Sequence, residues 1–370
     1  MNQGQPATQS KAGTDGQTKS TNQTSSSSPT VTQGQPISQN TANSSEQKSD
    51  STAANTACVS QTQLSIFDVG CYGAFGDSHT DNLAAFNAAA KASLSKNPAV
   101  IRVPAGKYYI SDTLLIDHPN ITLDMTSGAE IFSTKLTTLG ATVAFVGYYG
   151  KTSNTSSTPQ QNSATIKGGS VWNSNPANSN LDNALGFTRY KTAVVDGTNV
   201  TRCTRKGVTG QYGIDKFYIR NLQISNCLFA GITLETDIKF TQISNVKIST
   251  VGVGIIGETL TLARPVGEVL IGSTSVSDTK QRGISITTYS SLQIETVAVS
   301  NASISSKGSY DAIYLANGQA AKIRDTKVTG TYHRYALWII GGAYYLRSPY
   351  QFNPGVSGTY GPNTPTPQVW

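Results

Sequence analysis

The stretch "YGAFGDSHTDNLAAFNAAA", residues 72–90, places Asp77, Ser78, His79 and Asp81 within five positions. A nucleophilic triad needs side chains that are neighbours in space, and consecutive residues of one turn do not supply that geometry. Helix capping uses the same residue types. Thr80 or Asp81 can accept hydrogen bonds from the first free amides of a helix, and Asp77 can accept from the backbone N–H groups of the preceding loop. We therefore interpret the stretch as a cap and not as an active site.

The residues around this stretch predict one helix followed by many short strands. "LSIFDVG" (64–70) alternates like a strand, and "TDNLAAFNAAAKASLSK" (80–96) has the spacing of an amphipathic helix. The chain from 99 to 133 is then interrupted every six to nine residues by Pro-Ala-Gly, His-Pro-Asn and Ser-Gly. Such interruptions are typical of short strands joined by turns.

The second half of the chain repeats one strand pattern. The segments are GITLE from Gly231, GIIGE from Gly254, GISIT from Gly283, AIYLA from Ala312 and ALWII from Ala336, at steps of 23, 29, 29 and 24 residues. A second strand precedes most of them: LQIS from Leu222, VKIS from Val246, TSVS from Thr274, ASIS from Ala302 and TKVT from Thr326. One such unit cannot bury its apolar side, but stacked units share a continuous core.

These repeats predict an all-β fold, a single-stranded right-handed parallel β-helix (solenoid) with a short N-terminal capping helix. A propeller would need blades of about 40–45 residues. A β-sandwich would not give repeats in register. The composition agrees, because 13% charged residues and 34 glycines favour short strands and turns.

Composition also limits location and partners. No run of about 18 apolar residues predicts a transmembrane helix, and the first residues have no apolar core of a signal peptide. Export by another route, a lost upstream segment and release by lysis stay open. The formal charge of +7 favours an anionic membrane surface or an acidic polysaccharide. We expect no nucleic-acid partner because the basic residues form no stripe.

The chain divides by composition into two domains. Residues 1–60 are almost entirely Ser, Thr, Gln, Asn, Gly, Ala and Pro, which predicts a disordered tail that is either a tether or dispensable. Residues 61–370 form the predicted β-helix domain, with 61–110 as the N-terminal cap and first rung. The four cysteines do not have zinc-ligand spacing, and we expect free buried thiols, with a Cys58–Cys71 bridge as the alternative.

One segment resembles a known superfamily. The pattern Asp-x-x-x-Tyr-Gly-Ala-x-Gly-Asp-x-x-x-Asp, then a helix, a strand and Pro-Ala-Gly-x-Tyr, resembles the start of the pectate-lyase-like β-helix proteins. These include rhamnogalacturonase and epimerase-like domains and phage tailspike depolymerases. The matching residues are Asp68, Tyr72, Gly73, Ala74, Gly76, Asp77, Asp81, Pro104, Ala105, Gly106 and Tyr108.

The resemblance is specific over residues 66–110, and beyond them only the rung pattern continues it. It implies that this segment is a lid on the end of the solenoid. His79 and Asn82 depart from the residues that are common there. It also implies a trimer like that of tailspikes, but no trimerisation domain is recognisable near the end of the chain, so monomer and homotrimer both stay open.

Two carboxylates are the first candidates for catalysis. Side chains alternate between the faces of a strand, so Ile232 inside places Thr233 and Glu235 outside, and the next rung places Glu258 outside. If the rungs stack in register, Glu235 and Glu258 lie about 5 Å apart, which is the retaining glycosidase geometry. One of two such acids is then expected to hold its proton. The alternative is a solvated surface whose repulsion Lys239 relieves.

The same outer ladder continues with candidate ligand-binding residues. Ser285 and Thr287 follow, and then Tyr314 and Trp338, whose rings can support sugar rings. Arg282, Asp311, His333 and Arg334 are expected in the turns that lead into these strands. His118 and His333 are single histidines in loops, which we interpret as surface residues and not as metal ligands.

Asp311 in "SYDAIYLA" is a third candidate catalytic residue. It is similar to the Asp-Asp-x-Ile motif of polygalacturonase-like hydrolases, but Tyr310 replaces the first aspartate. Arg282 stands where those enzymes have the histidine of Gly-His-Gly. A lyase would need an Arg or Lys base, for which Arg282 is available, and usually acidic calcium ligands. No such acidic cluster is evident, so we expect no metal and no other cofactor.

The sequence thus predicts a secreted, cell-surface or virion-tail protein that binds a polysaccharide and hydrolyses it with paired carboxylates. The first alternative is a non-catalytic adhesin or a module like a tail fibre. The second is a polysaccharide lyase or epimerase that acts on uronic sugars.

Overall fold

A computed structural model describes residues 65–134, 140–147, 161–174, 183–258, 266–300, 310–330, 333–355 and 357–368. They belong to one unit of the chain, Lys48–Trp370. The predicted tail (1–60) lies outside the described residues. Among the described residues, no helix is long and apolar enough to cross a membrane.

The predicted capping helix is present as α1 (Leu83–Ser93), which follows a 3-10 turn at Val69–Tyr72. Ala85, Phe86 and Ala89 are buried against the first coil of strands. The helix therefore covers the N-terminal end of the apolar core.

Local hydrogen bonds shape the chain before this helix. Asp77 Oδ1 accepts from the N–H groups of His79 (2.9 Å) and Thr80 (2.8 Å), so it closes the turn that follows it. Asp77 thus ties the loop that precedes the helix, as expected. Asn82 also ties this loop, because its Oδ1 accepts from the N–H of Phe75 at 2.7 Å. Asp81 Oδ1 accepts from the N–H of Leu83 at 3.1 Å, as expected for a capping residue.

The rest of the described chain is built from short parallel strands. They are β1 (Ile66–Asp68), β2 (Asp77–Asp81), β3 (Ala99–Arg102), β4 (Gly106–Tyr109), β5 (Leu114–Ile116), β6 (Asn120–Asp124), β7 (Ala129–Ser133), β8 (Ala141–Val146), β9 (Gln161–Lys167), β10 (Ser170–Asn173), β11 (Asn183–Thr188), β12 (Tyr190–Asp196), β13 (Asn199–Val200), β14 (Lys206–Gln211), β15 (Ile214–Ser225), β16 (Ala230–Leu234), β17 (Ile238–Val251), β18 (Val253–Gly257), β19 (Val266–Thr279), β20 (Ile284–Thr287), β21 (Tyr289–Ser300), β22 (Ile313–Ala316), β23 (Ala320–Thr329), β24 (Tyr335–Ile340), β25 (Ala343–Phe352) and β26 (Gly358–Tyr360).

Each coil of the chain contributes to three faces. Sheet B contains ten strands: β5, β8, β11, β14, β16, β18, β20, β22, β24 and β26. Sheet A contains sixteen strands and bends into two faces. Face A1 holds β1, β3, β6, β9, β12 and the first halves of the long strands β15, β17, β19, β21, β23 and β25. Face A2 holds β2, β4, β7, β10, β13 and the second halves of the same long strands. The chain is a parallel β-helix, as predicted.

The predicted rung register is confirmed in sheet B. Ile232 pairs with Ile255, Ile255 with Ile284, and Ile284 with Ile313, and all four are buried in one continuous core. On face A2 one segment differs. Val297–Ser300, and not the predicted ASIS segment from Ala302, stands in register with Thr274–Ser277. Ala302 lies outside the described residues.

The glycines that begin the repeats fill the corner between face A2 and sheet B. A Cβ atom on Gly254 would lie 2.3 Å from the carbonyl oxygen of Gly283 and 2.4 Å from Cγ1 of Val276. A Cβ on Gly231 would lie 2.6 Å from Cγ2 of Ile248. The corner therefore leaves no room for a side chain at Gly231 and Gly254, whereas Ala312 and Ala336 occupy the equivalent position in later coils.

The cysteines differ from the sequence prediction. Cys203 and Cys227 stand opposite each other on adjacent coils, with a Cα–Cα distance of 4.5 Å, and form a disulfide. Cys71 is also disulfide-bonded, whereas Cys58 lies outside the described residues. The expectation of free buried thiols is therefore wrong, because parallel pairing brings two cysteines 24 residues apart into contact.

Candidate functional site

The outer face of sheet B carries most of the predicted site residues. Thr233, Ile256, Ser285, Tyr314 and Trp338 form one row across successive strands, which confirms the predicted ladder. Thr233 lies on the outer face, as expected, but the first three residues of the row are buried. Tyr314 and Trp338 are partly exposed. The accessible part of this row therefore lies on β22 and β24, towards the C-terminal end of the solenoid.

A buried carboxylate organises that end of the row. Asp311 is 0% exposed, and Arg334 binds it in a bidentate manner, from Nε to Oδ1 at 3.1 Å and from Nη2 to Oδ2 at 3.0 Å. Nε of Arg282 lies 3.8 Å from Oδ2 of the same carboxylate. Hydrogen bonding to Asp311 raises the pKa of Arg334 further above its usual value. Two guanidinium groups thus share one carboxylate, and the cluster keeps one net positive charge.

Aromatic rings support both guanidinium groups. Cζ of Arg282 lies 3.9 Å from the ring centroid of Tyr314, and Cζ of Arg334 lies 4.4 Å from that of Trp338. The two rings meet edge to face at 5.5 Å. Trp338 is fixed in turn by a hydrogen bond from its Nε1 to the carbonyl oxygen of Pro362 at 3.0 Å.

The two rings therefore help to position the guanidinium groups. Cation–π contact occupies one face of each ring and holds each guanidinium in a fixed orientation. We refer to Arg282, Asp311, Tyr314, Arg334 and Trp338 as the arginine clamp. It is suited to binding an anion because its donors are preorganised and each arginine keeps about 29% of its side chain exposed.

Both loop histidines are buried, so the expectation of surface residues is wrong. His333 is 0% exposed, and its Nε2 lies 3.1 Å from the carbonyl oxygen of Asn353. Burial lowers the pKa of His333. His118 accepts from the N–H of Asn120 at Nδ1. Its Nε2 therefore carries the proton, next to the carbonyl oxygens of Ser93 and Lys96. His333 in particular is not accessible to a substrate in this structure.

The two candidate carboxylates follow adjacent strands. Leu234 pairs with Gly257, and the N–H of Glu258 donates to the carbonyl oxygen of Leu234 at 2.9 Å, so Glu235 and Glu258 occupy equivalent positions one coil apart. Glu258 is exposed. Glu235 is bound by Lys206, whose Nζ lies 2.5 Å from Oε1.

The contact between Glu235 and Lys206 concerns the alternative that Glu235 and Glu258 are surface residues whose repulsion a lysine relieves. We expected Lys239 to relieve the repulsion, but Lys239 binds Asp215 at 2.6 Å. Lys206 neutralises Glu235 instead, and it is buried along the face of the sheet. One carboxylate is thus held as an ion pair and its neighbour is left in solvent.

The clamp and the carboxylate pair occupy opposite ends of the strands of sheet B. Asp311 precedes β22, whereas Glu258 follows β18. The structure therefore separates the predicted catalytic residues Glu235 and Glu258 from Asp311, and it joins Asp311 to the predicted binding residues. Among the described residues, no group of three or more His, Cys, Asp or Glu side chains could hold a metal ion.

Lys206 and the bidentate role of Arg334 were missed from the sequence. A signal for Lys206 was available, because "GVTG" at 207–210, which follows it directly, precedes GITLE by 24 residues and is one further rung. The contact itself could not be read, since it joins residues 29 positions apart.

Comparisons with known proteins bear on the fold of the chain. The family model described as "Rhamnogalacturonase A/epimerase, pectate lyase-like" matches residues 66–229. No curated protein matches the chain.

Three solved structures are similar to this chain to different degrees. The ORF18 protein of Geobacillus virus E2 is 12% identical, with a TM-score of 0.46, over 84% of this chain and 65% of that one. Tailspike protein 3 of bacteriophage CBA120 is 15% identical, with a TM-score of 0.51, over 80% of this chain and 50% of that one. PfbA, a surface adhesin of Streptococcus pneumoniae, is 12% identical, with a TM-score of 0.51, over 80% and 93%.

At these identities the likeness shows the fold alone. The chain spans 65% and 50% of the length of the two virus proteins. The family model matches residues 66–229, and over the described residues the parallel coils of sheets A and B form a parallel β-helix, which fits the pectate-lyase-like superfamily.

Proposed function

We propose that this chain binds a polysaccharide on the outer face of sheet B and that Arg282 and Arg334 hold an anionic group of the sugar. The observation that carries the proposal is the buried Asp311, which fixes two partly exposed guanidinium groups against Tyr314 and Trp338. Charged donors held in this way bind a carboxylate or sulfate without first losing side-chain freedom. The family description, which names a rhamnogalacturonase and an epimerase, supports a polysaccharide as the ligand.

A binding measurement tests this proposal. Calorimetric titration of the full chain with oligomers of polygalacturonate, alginate and hyaluronate is expected to show binding that weakens with salt. Arg282→Gln is expected to weaken it about tenfold, as for a lost charged contact. The matched control is Arg220→Gln, because Arg220 pairs with Asp196 on sheet A. Equal affinity in Arg282→Gln and the control would refute the proposal.

Hydrolysis by Glu235 and Glu258 is the second candidate function. Their equivalent positions one coil apart favour it, since neighbouring strands lie about 4.8 Å apart and retaining glycosidases use about 5 Å. The ion pair with Lys206 suits Glu235 to the ionised role, which leaves Glu258 as the proton donor. The unaltered protein is expected to generate new reducing ends on the polysaccharide, and the Glu258→Gln variant is not. The control is Glu268→Gln, whose substitution lies on sheet A and should leave this activity unchanged.

The same assay separates the remaining alternatives. A lyase would release unsaturated uronates, which absorb ultraviolet light, and an epimerase would change the sugar without new ends. An adhesin would bind and do neither. We also propose an extracellular or virion location, which the Cys203–Cys227 disulfide supports because disulfides persist in oxidising compartments.

A further inference from the structure

A trough follows the corner between faces A1 and A2. The corner residues of successive coils are Asn221, Asn245, Ser273, Thr296 and Asp325, each with φ between +46° and +59°. Two cavities of about 290 and 380 Å³ lie along this corner and share Asn245 and Lys247. They form one groove along the solenoid axis, which we call the corner trough.

The trough widens where a ladder of amides ends. Nδ2 of Asn245 donates to Oδ1 of Asn221 at 2.9 Å, and Nδ2 of Asn221 donates to Oδ1 of Asp196 at 2.8 Å. The next two coils carry Ser273 and Thr296 at this position. Their side chains are too short to span the distance of about 4.8 Å between coils. The larger cavity lies at these two residues.

Two lysines stand on one wall of the trough. Lys247, Ser275, Ala298 and Lys327 are in register on successive strands, so the lysines are three coils, or about 14 Å, apart. Both lysines are exposed, and neither forms an ion pair with a residue that the structure describes. Asp325 is the one acidic residue among those that line the larger cavity. The trough therefore has a net positive charge.

A bed of hydroxyl groups adjoins this wall. The next outward row on face A2 consists of small hydroxyl residues, one from each coil: Ser225, Ser249, Ser277, Ser300 and Thr329. Each hydroxyl can donate and accept a hydrogen bond. The bed is flat because no bulky side chain interrupts it between Ser225 and Thr329.

We infer that the corner trough is a second saccharide-binding site, which takes an extended anionic glycan parallel to the solenoid axis. The lysines would contact its charged groups and the hydroxyl bed its hydroxyls. A peptide is disfavoured because these strands are paired on both sides, which leaves no free edge, and none of the described residues that line the trough is aromatic. Nucleic acid would need more phosphate contacts than two lysines provide. The site is independent of the arginine clamp.

The test removes the two lysines from the full chain. In titrations with the oligomers of polygalacturonate, alginate and hyaluronate, Lys247→Gln with Lys327→Gln is expected to weaken binding about three- to tenfold. Lys280→Gln is the matched control, because Lys280 is an exposed lysine in the turn after β19. A second variant, Ser275→Trp, fills the trough without changing its charge and is expected to weaken binding at least as much. Unchanged thermal unfolding of the lysine variant confirms that it is folded.

The outcomes separate the two proposed sites. If both trough variants bind like the control while Arg282→Gln is weakened, the trough inference is wrong and the proposed function stands. If the trough variants are weakened and Arg282→Gln is not, the trough stands and the clamp fails. If none of the three glycans binds the unaltered chain, both are overturned.

Discussion

The N-terminal cap and the coils that follow it are held by contacts of different range. In the cap, Asp68 accepts from the N–H of Gly70 and Asp77 from that of Thr80, two and three residues away. In the coils, the corresponding polar contacts join Lys206 to Glu235 and Asp311 to Arg334, which are 29 and 23 residues apart. The turns of the cap are thus closed by local contacts, whereas the Lys206–Glu235 and Asp311–Arg334 contacts depend on the register of two rungs.

This difference predicts where the molecule is vulnerable. Removal of one hydrogen bond in the cap disrupts a single turn, because the helix stays packed through Phe86 and Ala89. A coil contact lies between two stacked units that share a core, so its loss weakens the interface between them. Changes in coil contacts should therefore cost more stability than changes in the cap.

The largest effect is expected for the disulfide between coils. The double variant Cys203→Ser with Cys227→Ser opens a loop of 24 residues, which should lower the free energy of unfolding by about 3.5 kcal/mol. Denaturant unfolding without reductant measures this, with the unaltered chain as reference because both keep the bond at Cys71. A loss below about 1 kcal/mol would show that the coils do not need the link.

The next effect is expected at the arginine clamp. Asp311→Asn removes the charge that two arginines share, which should cost about 3 kcal/mol, the lower end for a buried pair because both arginines keep some solvent contact. Asp325→Asn is the control, since this exposed aspartate should change stability by less than about 0.5 kcal/mol. Equal stabilities of the two variants would mean that the clamp contributes binding geometry only.

The same difference in range explains what could be predicted from the sequence. The cap could be predicted because its residues are close together in the sequence and are of the types that form turn and capping hydrogen bonds. The rungs could be predicted because side chains alternate between the two faces of a strand, which placed Ile232 and Ile255 in the core and Glu235 beside Glu258.

The burial of the site side chains and their hydrogen-bond partners could not be predicted from the sequence. Both depend on which residues meet across coils, and the lengths of the coils vary between 23 and 29 residues. The ion pairs of Asp311 and Lys206 were therefore not predicted, and Cys203 and Cys227 were expected to be free. His333 was placed at the surface because the segment near Asn353 that covers it is 20 residues further along.

A smaller effect should distinguish two glycines of the coils. Gly254→Ala puts a Cβ 2.3 Å from a backbone oxygen and 2.4 Å from Val276, and overpacking of this kind costs about 2 kcal/mol. Gly272→Ala is the control, because its nearest neighbour would be 3.8 Å away. In thermal unfolding, the midpoint should be lowered by Gly254→Ala and not by Gly272→Ala. Equal midpoints would mean that the corner can move to admit a methyl group.

The smallest effect is expected in the cap and only at acidic pH. Hydrogen bonds from the Thr80 hydroxyl and from the N–H groups of Thr80 and His79 lower the pKa of Asp77 to about 2. Because the folded pKa lies below the unfolded one, the stabilisation is complete above about pH 4 and is lost as the pH falls towards 2. The melting temperature of Asp77→Asn should therefore lie below that of the unaltered chain at pH 6, and the gap should close between pH 4 and 2. The hydrogen bond from Arg324 also lowers the pKa of Glu295. Glu295 titrates in both proteins, so its contribution cancels in the difference between their melting temperatures. A gap that stays constant to pH 2 would show that the carboxylate of Asp77 does not hold the turn.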